Sequence, residues 1–532
     1  MSSQVAPTVL QDKAEFIDKL FSLPTSTGVP GATFDSAKAL VKNLKRNFIE
    51  NHAYFNEDGF HNHVMDHLFA LYSLGGTPAA LDEVYAAHDY QMPAFASPEP
   101  ITGVNFLEHL GDDKFYDAYM SYFCTHLLSH SVAETIQQFI FSPEYNFIPG
   151  LDAINAENVK QGKAGNKQQP EMLNRLLAGL VHPFIHLGYG VEFGVAQQVA
   201  EGLAQAAIHP AHQTEMIPLS FFDTSLTPNP FLRGLSETTQ SNAPAAPKPS
   251  FNFHTTILTD PALSPSALDL SLGPRGYEGV VASGGPTILK HVNAWYDGWL
   301  AGVADEDLEP TLERMVEEVV FGNVLWYGVC GWALRGEKVL NADFTSMHFV
   351  TSAIFLPLFL LPGSRSSALS PALPLQSRFL LLRAYLATCA GWLVANGQPP
   401  LPIRDFYSAT SHHLSAPPAP HAHKPANRVD GKRDLDAPGL TMRTGGSAWA
   451  RIWTNVVVHP NEHLIKAIRA LGAFSAVYGG IEKGYFVREG AGEGEGVDGI
   501  EELDGTMFTR VAGLTMDRLG WAYEEDPVGL WD

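Results

Sequence analysis

Histidine is the residue type in this sequence whose number and spacing point most clearly to chemistry. The chain has 21 histidines among 532 residues, and an imidazole can bind a transition metal or move a proton near neutral pH. Two histidines four positions apart lie on one face of a helix and can share a metal ion. Random placement gives roughly one such pair, but the sequence has four: His63/His67, His126/His130, His182/His186 and His459/His463. The excess predicts a metal site, although any single pair is more often structural.

Several of these histidines lie in strongly apolar sequence. They are His63 and His67 in FHNHVMDHLFALY, His182 and His186 in LVHPFIHLGYGVEF, His348 in ADFTSMHFVTSAIFL, and His463 in VVHPNEHLIKAIRAL. Burial disfavours the charged imidazolium, so we expect neutral rings that keep a lone pair for a metal. The alternative is that each ring fills a partly polar position in the core.

Lys466 follows His463 by three residues, so the two side chains share a helix face. A protonated ammonium repels a cation and has no lone pair to donate. A carbamate formed from the amine and CO2 would instead be an oxygen ligand that resembles a carboxylate. The alternative is an ordinary lysine whose aliphatic stem packs on its helix.

The elements that must position these residues are predicted to be helices. Apolar residues recur at helical spacing in residues 35–47, 60–74, 310–335, 345–361, 376–396 and 459–479. Residues 171–208 are predicted to form two helices with a kink around Pro183. Alternating strand patterns are sparse and short. The pattern predicts a mainly α fold, with one large helical domain spanning residues 1–532.

Four segments interrupt the helical pattern: residues 237–250, 363–375, 398–447 and 489–499, rich in proline, serine, alanine or glycine. We expect flexible loop insertions there, because such segments bury little apolar area. The third holds His412, His413, His421 and His423, which we expect to be exposed and without function. A subdivision of the domain near residue 245 is the alternative organisation.

Composition excludes several classes of function. The net charge of −23 disfavours binding to nucleic acid or to an anionic membrane surface. Three scattered cysteines in apolar sequence predict reduced, buried thiols. The first residues lack a signal-peptide pattern, and the apolar run Phe349–Leu361 is too short to span a bilayer. Neither GxSxG nor a Walker A motif occurs, and the GxGxxG at Gly494 lies among acidic residues. The sequence predicts a cytoplasmic protein without a recognisable nucleotide fold.

The histidine segments together resemble the questin oxidase-like family of fungal and bacterial proteins. The matching pieces are FHNHVMDHLFALYSLGGTP with the later YQMP (60–78 and 90–93), LVHPFIHLGYGVEF (180–193), DFTSMHFVTSAIFLP (343–357) and HPNEHLIKAIRAL (459–471). They occur in the family's order, and the combination is more specific than any one piece. Where this chain has Asp66, the family segment often has a further histidine.

The resemblance implies a non-haem iron oxygenase that opens anthraquinone-type rings of polycyclic aromatic polyketides in secondary metabolism, with O2 as co-substrate. Its implied Fe²⁺ ligands are His63, His186, His348, His463 and a carbamate on Lys466, and Lys466 and His463 are the predicted catalytic residues. His67 and His182, each one helical turn from a chosen histidine, are the next candidates. One alternative is a Baeyer–Villiger-type oxidase that uses NADPH without a bound metal. Another is a non-enzymatic helical polyketide-binding protein.

Overall fold

The computed structural model describes residue 16 and residues 19–24, 30–54, 60–88, 91–161, 167–223, 251–268, 276–363, 369–417, 446–487 and 497–532. The α-helices in these ranges are α1 (Phe34–Glu50), α2 (Val64–Ser73), α3 (Pro78–Ala87), α4 (Tyr116–Leu127), α5 (Val132–Ile136), α6 (Leu151–Lys160), α7 (Met172–Leu176), α8 (Ala178–Phe193), α9 (Ala196–Ile208), α10 (Asn252–Thr259), α11 (Pro265–Leu268), α12 (Tyr277–Leu300), α13 (Leu308–Val324), α14 (Gly331–Ala333), α15 (Phe344–Ala353), α16 (Leu356–Leu360), α17 (Leu375–Ala395), α18 (Ile403–Ala409), α19 (Ala448–Val456), α20 (Glu462–Tyr478) and α21 (Met507–Leu519). Two π-helical turns, Gln137–Phe141 and Leu325–Cys330, and several short 3₁₀ turns join them. The β pairing in the described ranges consists of two isolated bridges, so the mainly α prediction is confirmed.

Side-chain caps fix where two of the histidine-bearing helices begin. The Asn461 side chain accepts hydrogen bonds from the backbone N–H groups of His463 and Leu464, both at 3.0 Å, and so starts α20. Asp343 accepts one from the Ser346 N–H at 2.6 Å and starts α15. Each cap satisfies a donor that the first helical turn leaves unpaired. The caps therefore set the register in which the histidines of these helices face the core.

The predicted interruption in residues 171–208 lies slightly before Pro183. Gly179, Leu180 and Val181 have φ values of 55°, 54° and 58°, in the left-handed region. This backbone is costly for a β-branched valine. Helical geometry starts at His182, with Pro183 in its first turn, where a missing N–H costs nothing. The left-handed turn thus places His182 at the very start of the helical part of α8.

Four helices that carry the singled-out histidines pack against one another in a closed circuit. Helix α2 contacts α8 and α20, and α15 contacts the same two helices. Helix α9 backs α8 at close range, because a Cβ at Gly190 would lie 2.5 Å from the backbone nitrogen of Val199. A Cβ at Gly202 would lie equally close to the nitrogen of Leu187. The missing side chains let α9 support the inner wall of the circuit.

The segments predicted as loop insertions have different outcomes. Residues 237–250, the possible subdivision near 245, residues 418–445 and most of 489–499 lie outside the described residues. The described part of 398–447 is more ordered than we predicted, since it contains α18 with Ile403 and Phe406 fully buried. In 363–375, Leu373 is buried and Leu375 begins α17. Apolar residues spaced for one helical face explain both differences.

Two further predictions concern residues in apolar sequence, namely the three cysteines and the helices long enough to span a bilayer. All three cysteines are free and buried, as predicted. Among the described helices, α17 is long and apolar enough to cross a bilayer, and its apolar window is entirely buried inside the protein. Such burial is typical of a central core helix. The cytoplasmic location stays a prediction.

Candidate metal centre

Four imidazoles from the four-helix circuit form a closed ring. The ring centroids of His63 and His182 are 4.9 Å apart, and those of His182 and His348 are also 4.9 Å apart. His348 lies 5.3 Å from His463, and His463 closes the ring at 4.5 Å from His63. All four side chains are buried. The fold therefore converges residues from opposite ends of the sequence on one small volume.

The hydrogen-bonding pattern of these rings is the one that metal-binding histidines adopt. His182 Nδ1 lies 2.5 Å from the carbonyl oxygen of Gly179, and His348 Nδ1 lies 2.8 Å from that of Phe344. A carbonyl only accepts, so each Nδ1 carries the proton and each Nε2 keeps a lone pair. Neither Nε2 has a hydrogen-bond partner, and the same holds for Nε2 of His463. Nδ1 of His463 lies 3.5 Å from a carboxylate oxygen of Glu462.

His186, one helical turn after His182, repeats the pattern with a stronger partner. Its Nδ1 lies 2.8 Å from Oε1 of Glu201 on α9 and 2.7 Å from the side-chain amide of Gln205, and its Nε2 is buried without a hydrogen-bond partner. Gln197 and Gln198 donate amide hydrogen bonds to the two Glu201 oxygens and hold that carboxylate in place. A carboxylate that accepts from a ligating imidazole fixes its orientation and raises its basicity.

Electrostatics keeps these rings able to bind a cation. Burial lowers the pKa of His63, His182 and His463 well below the usual 6.5, and the Lys466 ammonium lowers the pKa of all three further. Burial likewise lowers the pKa of His348 to about 3. Neutral imidazoles at physiological pH retain the lone pairs that a metal requires.

Asp66 and Lys466 stand between His63 and His186. The Lys466 Nζ lies 3.3 Å from Oδ2 of Asp66 and 3.4 Å from Nδ1 of His63. Oδ1 of Asp66 has no hydrogen-bond partner and lies 3.8 Å from Nε2 of His186. All of these side chains are buried. The charged groups contacting the imidazoles thus include two buried carboxylates, Asp66 and Glu201, but one buried ammonium, a balance that favours a bound cation.

The structure brings together every predicted ligand and one of the two further candidates. His63, His186, His348, His463 and Lys466 all converge, and His182 lies within the ring. His67 points away, with its Nδ1 3.2 Å from Nε2 of His88, and these two form a neighbouring cluster with Glu462. Four-residue spacing at positions 63 and 67 therefore does not make a shared site, because position 63 precedes the first turn of α2.

The His126/His130 pair is structural, and so is His459, whose pair partner His463 belongs to the ring. The rings of His126 and His130 stack on each other with centroids 3.9 Å apart. His459 accepts a hydrogen bond from the Asn461 N–H at Nδ1 and donates from Nε2 to the Leu519 carbonyl. Both nitrogens of His459 are thereby occupied, and none remains for a metal.

Sequence reasoning missed the supporting residues of this centre. His61 stacks on His182 with ring centroids 4.0 Å apart, and its Nε2 lies 2.8 Å from Nε2 of His209. No local sequence pattern marks Glu201 or Asp66 as a partner of the histidines. The one available signal was the two-residue spacing of His61 and His63 before α2, which places both rings on one side of an extended segment.

The histidines of the proline-rich segment differ in their exposure to solvent. His412 is exposed as predicted, but the prediction for His413 is wrong, since its side chain is buried at 8% exposure and its ring contacts Gly513 of α21. Its Nε2 lies 3.7 Å from a carboxylate oxygen of Asp517. His421 and His423 lie outside the described residues.

Comparison with known proteins matches the sequence of this chain to a family. The questin oxidase-like family model matches residues 60–471, which include the whole ring and Lys466. The chain is 24% identical to the questin oxidase of Aspergillus terreus over 91% of this chain and 90% of that protein. It is 24% identical to the oxidoreductase AflY of Aspergillus parasiticus over 63% of this chain and 60% of that protein.

A third relative, the Baeyer–Villiger oxidase ptaJ of Pestalotiopsis fici, is 26% identical over 68% of this chain and 69% of that protein. The histidine segments that carried the resemblance thus lie inside a match covering well over half of the chain. The chain belongs to the questin oxidase-like family, a family of oxidoreductases.

Proposed function

We propose that this protein is a non-haem iron-dependent oxygenase that cleaves a C–C bond of an anthraquinone-type polycyclic aromatic polyketide. One observation carries the proposal: four buried histidines, at 182, 186, 348 and 463, turn Nδ1 towards an oxygen acceptor and leave Nε2 without a partner. Buried polar atoms without partners are costly, and several of them around one centre favour a bound ligand. The ligand atoms of His63, Glu462 and His463 at this centre lie within 4.8 Å of one another.

The donor set suits iron. Imidazole and carboxylate ligands favour Fe²⁺ over the soft metals that select thiolates, and none of the described clusters of three metal-ligating groups contains a cysteine. When bound, iron supplies the capacity to bind and activate O2 beside an electron-rich ring. The carbamate on Lys466 that the resemblance implies stays a prediction, as do the catalytic roles of Lys466 and His463.

The surrounding residues orient the histidine rings and exclude water from the centre. The Gly179 and Phe344 carbonyls hold the rings of His182 and His348 in a single tautomer. The Phe344 ring packs on two of the histidines, with its centroid 4.7 Å from that of His348 and 4.9 Å from that of His463. This apolar wall lowers the local dielectric and is suited to a flat aromatic substrate.

A second candidate function is a Baeyer–Villiger-type oxidase that uses NADPH without a metal, and the printed names of several relatives favour it. These names describe insertion of an oxygen atom next to a carbonyl, a net reaction that does not itself exclude iron. A polyketide-binding protein without catalysis is the third reading.

Metal analysis and oxygen uptake separate these functions. Protein purified without oxygen should carry iron near one per chain and consume O2 with an anthraquinone substrate, and His348→Ala should lose both properties. His130→Ala, at an exposed histidine of a stacked pair, is the matched control and should keep both. Wild-type protein without a transition metal would refute the proposal. Turnover by metal-free protein that depends on NADPH would establish the second function, and substrate binding without any turnover the third.

A further inference from the structure

A second cluster of metal-ligating side chains lies where the turn after α18 packs on α21. The turn, Ser411–Leu414, carries His412 and His413, and Asp517 of α21 faces it. Each of these three side chains offers one ligand atom, and the three atoms lie within 4.8 Å of one another. Two imidazoles and a carboxylate form a donor set that binds zinc in proteins. The cluster shares no residue with the histidine ring.

The second observation concerns an imidazole nitrogen of His413. Its side chain is 6% exposed, and its buried Nε2 has no hydrogen-bond partner. Oδ2 of Asp517 lies 3.7 Å from this nitrogen, which is too far for a hydrogen bond. Two donors that each lie about 2.1 Å from a zinc ion at the tetrahedral angle are about 3.4 Å apart. The separation therefore fits two ligands of one zinc ion better than it fits a direct contact.

The residues around the cluster orient the carboxylate and the buried imidazole. Trp521 donates from Nε1 to Oδ1 of Asp517 at 2.7 Å, while Oδ2 lies on the side of His413. A Cβ at Gly513 would lie 2.5 Å from Nδ1 of His413, so the glycine makes room for the ring against α21. A hydrogen bond behind a ligating carboxylate and a tightly packed ring both reduce the freedom that metal binding must remove.

Helix α21 also holds the turn that carries the two histidines. Arg510 donates from Nη1 to the carbonyl oxygen of Tyr407 at 2.9 Å and to the hydroxyl of Thr410 at 3.1 Å. Both acceptors belong to the last turn and the C-cap of α18. The end of α18 is thereby fastened to α21 directly before His412, so the ligands are held close together by the fold itself.

Electrostatics at the cluster is compatible with a bound cation. Burial, with a smaller contribution from the charges of His412 and Arg451, lowers the pKa of His413 to about 4. The ring is therefore neutral near pH 7 and keeps a lone pair for a metal. The Arg451 guanidinium forms two contacts with the Glu524 carboxylate, at 2.7 and 2.5 Å, which balance its charge. The Asp517 carboxylate supplies the negative charge that faces the ion.

We propose that His412, His413 and Asp517 form a second metal site, which binds Zn²⁺ with water in the remaining coordination position. A zinc ion there would link the turn after α18 to α21 and so fix the start of the proline-rich segment on the core. The site is separate from the proposed oxygenase centre, because none of its ligands belongs to the histidine ring.

The test is a titration with Zn²⁺ alone of protein that has first been loaded with Fe²⁺ without oxygen, followed by analysis of both metals. Wild-type protein should bind one zinc per chain and keep its iron. His412→Ala, at an exposed side chain, and Asp517→Asn, which keeps an acceptor for Trp521, should each weaken zinc binding at least about tenfold. His130→Ala, at an exposed histidine of another stacked pair, is the matched control and should bind zinc like the wild type.

Thermal unfolding provides a second measurement. Zinc should raise the midpoint of wild-type unfolding more than that of His412→Ala, because a ligand that binds only the folded state stabilises it. Wild-type zinc affinity in His412→Ala or in folded Asp517→Asn would overturn the inference. Zinc that enters only by displacing iron would overturn it too, since that zinc would occupy the histidine ring. Wild-type protein that retains no iron would refute the proposed function, whereas the effect of His412→Ala on zinc binding decides this site separately.

Discussion

The carboxylate behind His186 provides a quantitative test of the metal centre. Glu201→Gln keeps the size of the side chain and an oxygen acceptor 2.8 Å from Nδ1 of His186 but removes its charge. Losing such a partner typically weakens metal binding ten- to a hundredfold. Because the glutamine retains an acceptor, we expect about a tenfold loss, or ~1.4 kcal/mol.

This loss of metal affinity can also be measured as a loss of unfolding free energy in the presence of metal. At a metal concentration a hundred times the wild-type Kd, binding stabilises the wild-type fold by about 2.7 kcal/mol. With a tenfold weaker Kd, the stabilisation of Glu201→Gln falls to about 1.4 kcal/mol under the same conditions. Denaturant unfolding with and without Fe²⁺, kept anaerobic, measures the difference, and direct titration measures the affinity.

Glu318→Gln is the matched control, because Glu318 is another buried glutamate, held on α13 by the indole N–H groups of Trp295 and Trp299. It should leave metal affinity unchanged. Equal affinity of Glu201→Gln and the wild type would show that the carboxylate does not support a ligand. An equal loss in both variants would show that the effect comes from replacing any buried carboxyl group.

Three other predictions concern stability. Asn461→Ala should cost about 1 kcal/mol of unfolding free energy and also weaken metal binding, whereas Thr33→Ala, at the cap of α1, should cost as much without changing affinity. Gly190→Ala should destabilise by roughly 1–3 kcal/mol by forcing α8 from α9, while Gly298→Ala, with no atom within 4 Å of the new Cβ, should not; equal thermal stability of the two would contradict the close packing. Burial raises the pKa of Glu318 to about 7, so its stabilising contribution is complete below the ordinary pKa near 4.5 and is lost as the pH rises through 7. The stability of the wild type relative to Glu318→Gln should therefore fall by roughly 3 kcal/mol from pH 4 to pH 8, and a difference independent of pH would disprove this assignment.

The sequence predicted the fold class and most of the metal centre because both leave local signals. Apolar periodicity gave the helices, and strongly apolar flanks identified the buried histidines at 186, 348 and 463. The helix predicted over residues 459–479 is present as α20, which begins three residues later, at Glu462, because Asn461 caps it. The family resemblance rested on short segments in order, and the match over residues 60–471 confirmed it.

The tertiary structure decided which residues each histidine contacts. Four-residue spacing predicted equal standing for His67 and His182, but packing turned His67 towards His88 and placed His182 inside the ring. The reason is that spacing fixes which face of a helix a side chain shares, whereas the neighbouring helix fixes what that face meets.

The sequence by itself determined that a large helical core would bury an excess of neutral imidazoles. Only the tertiary structure decided their chemistry. It brought Lys466 to within 3.4 Å of His63 across a separation of 403 residues, set Glu201 behind His186, and aimed Asp66 between them. These contacts join α2, α8, α9 and α20, and their geometry follows from the packing of helices remote in sequence, which no local pattern encodes.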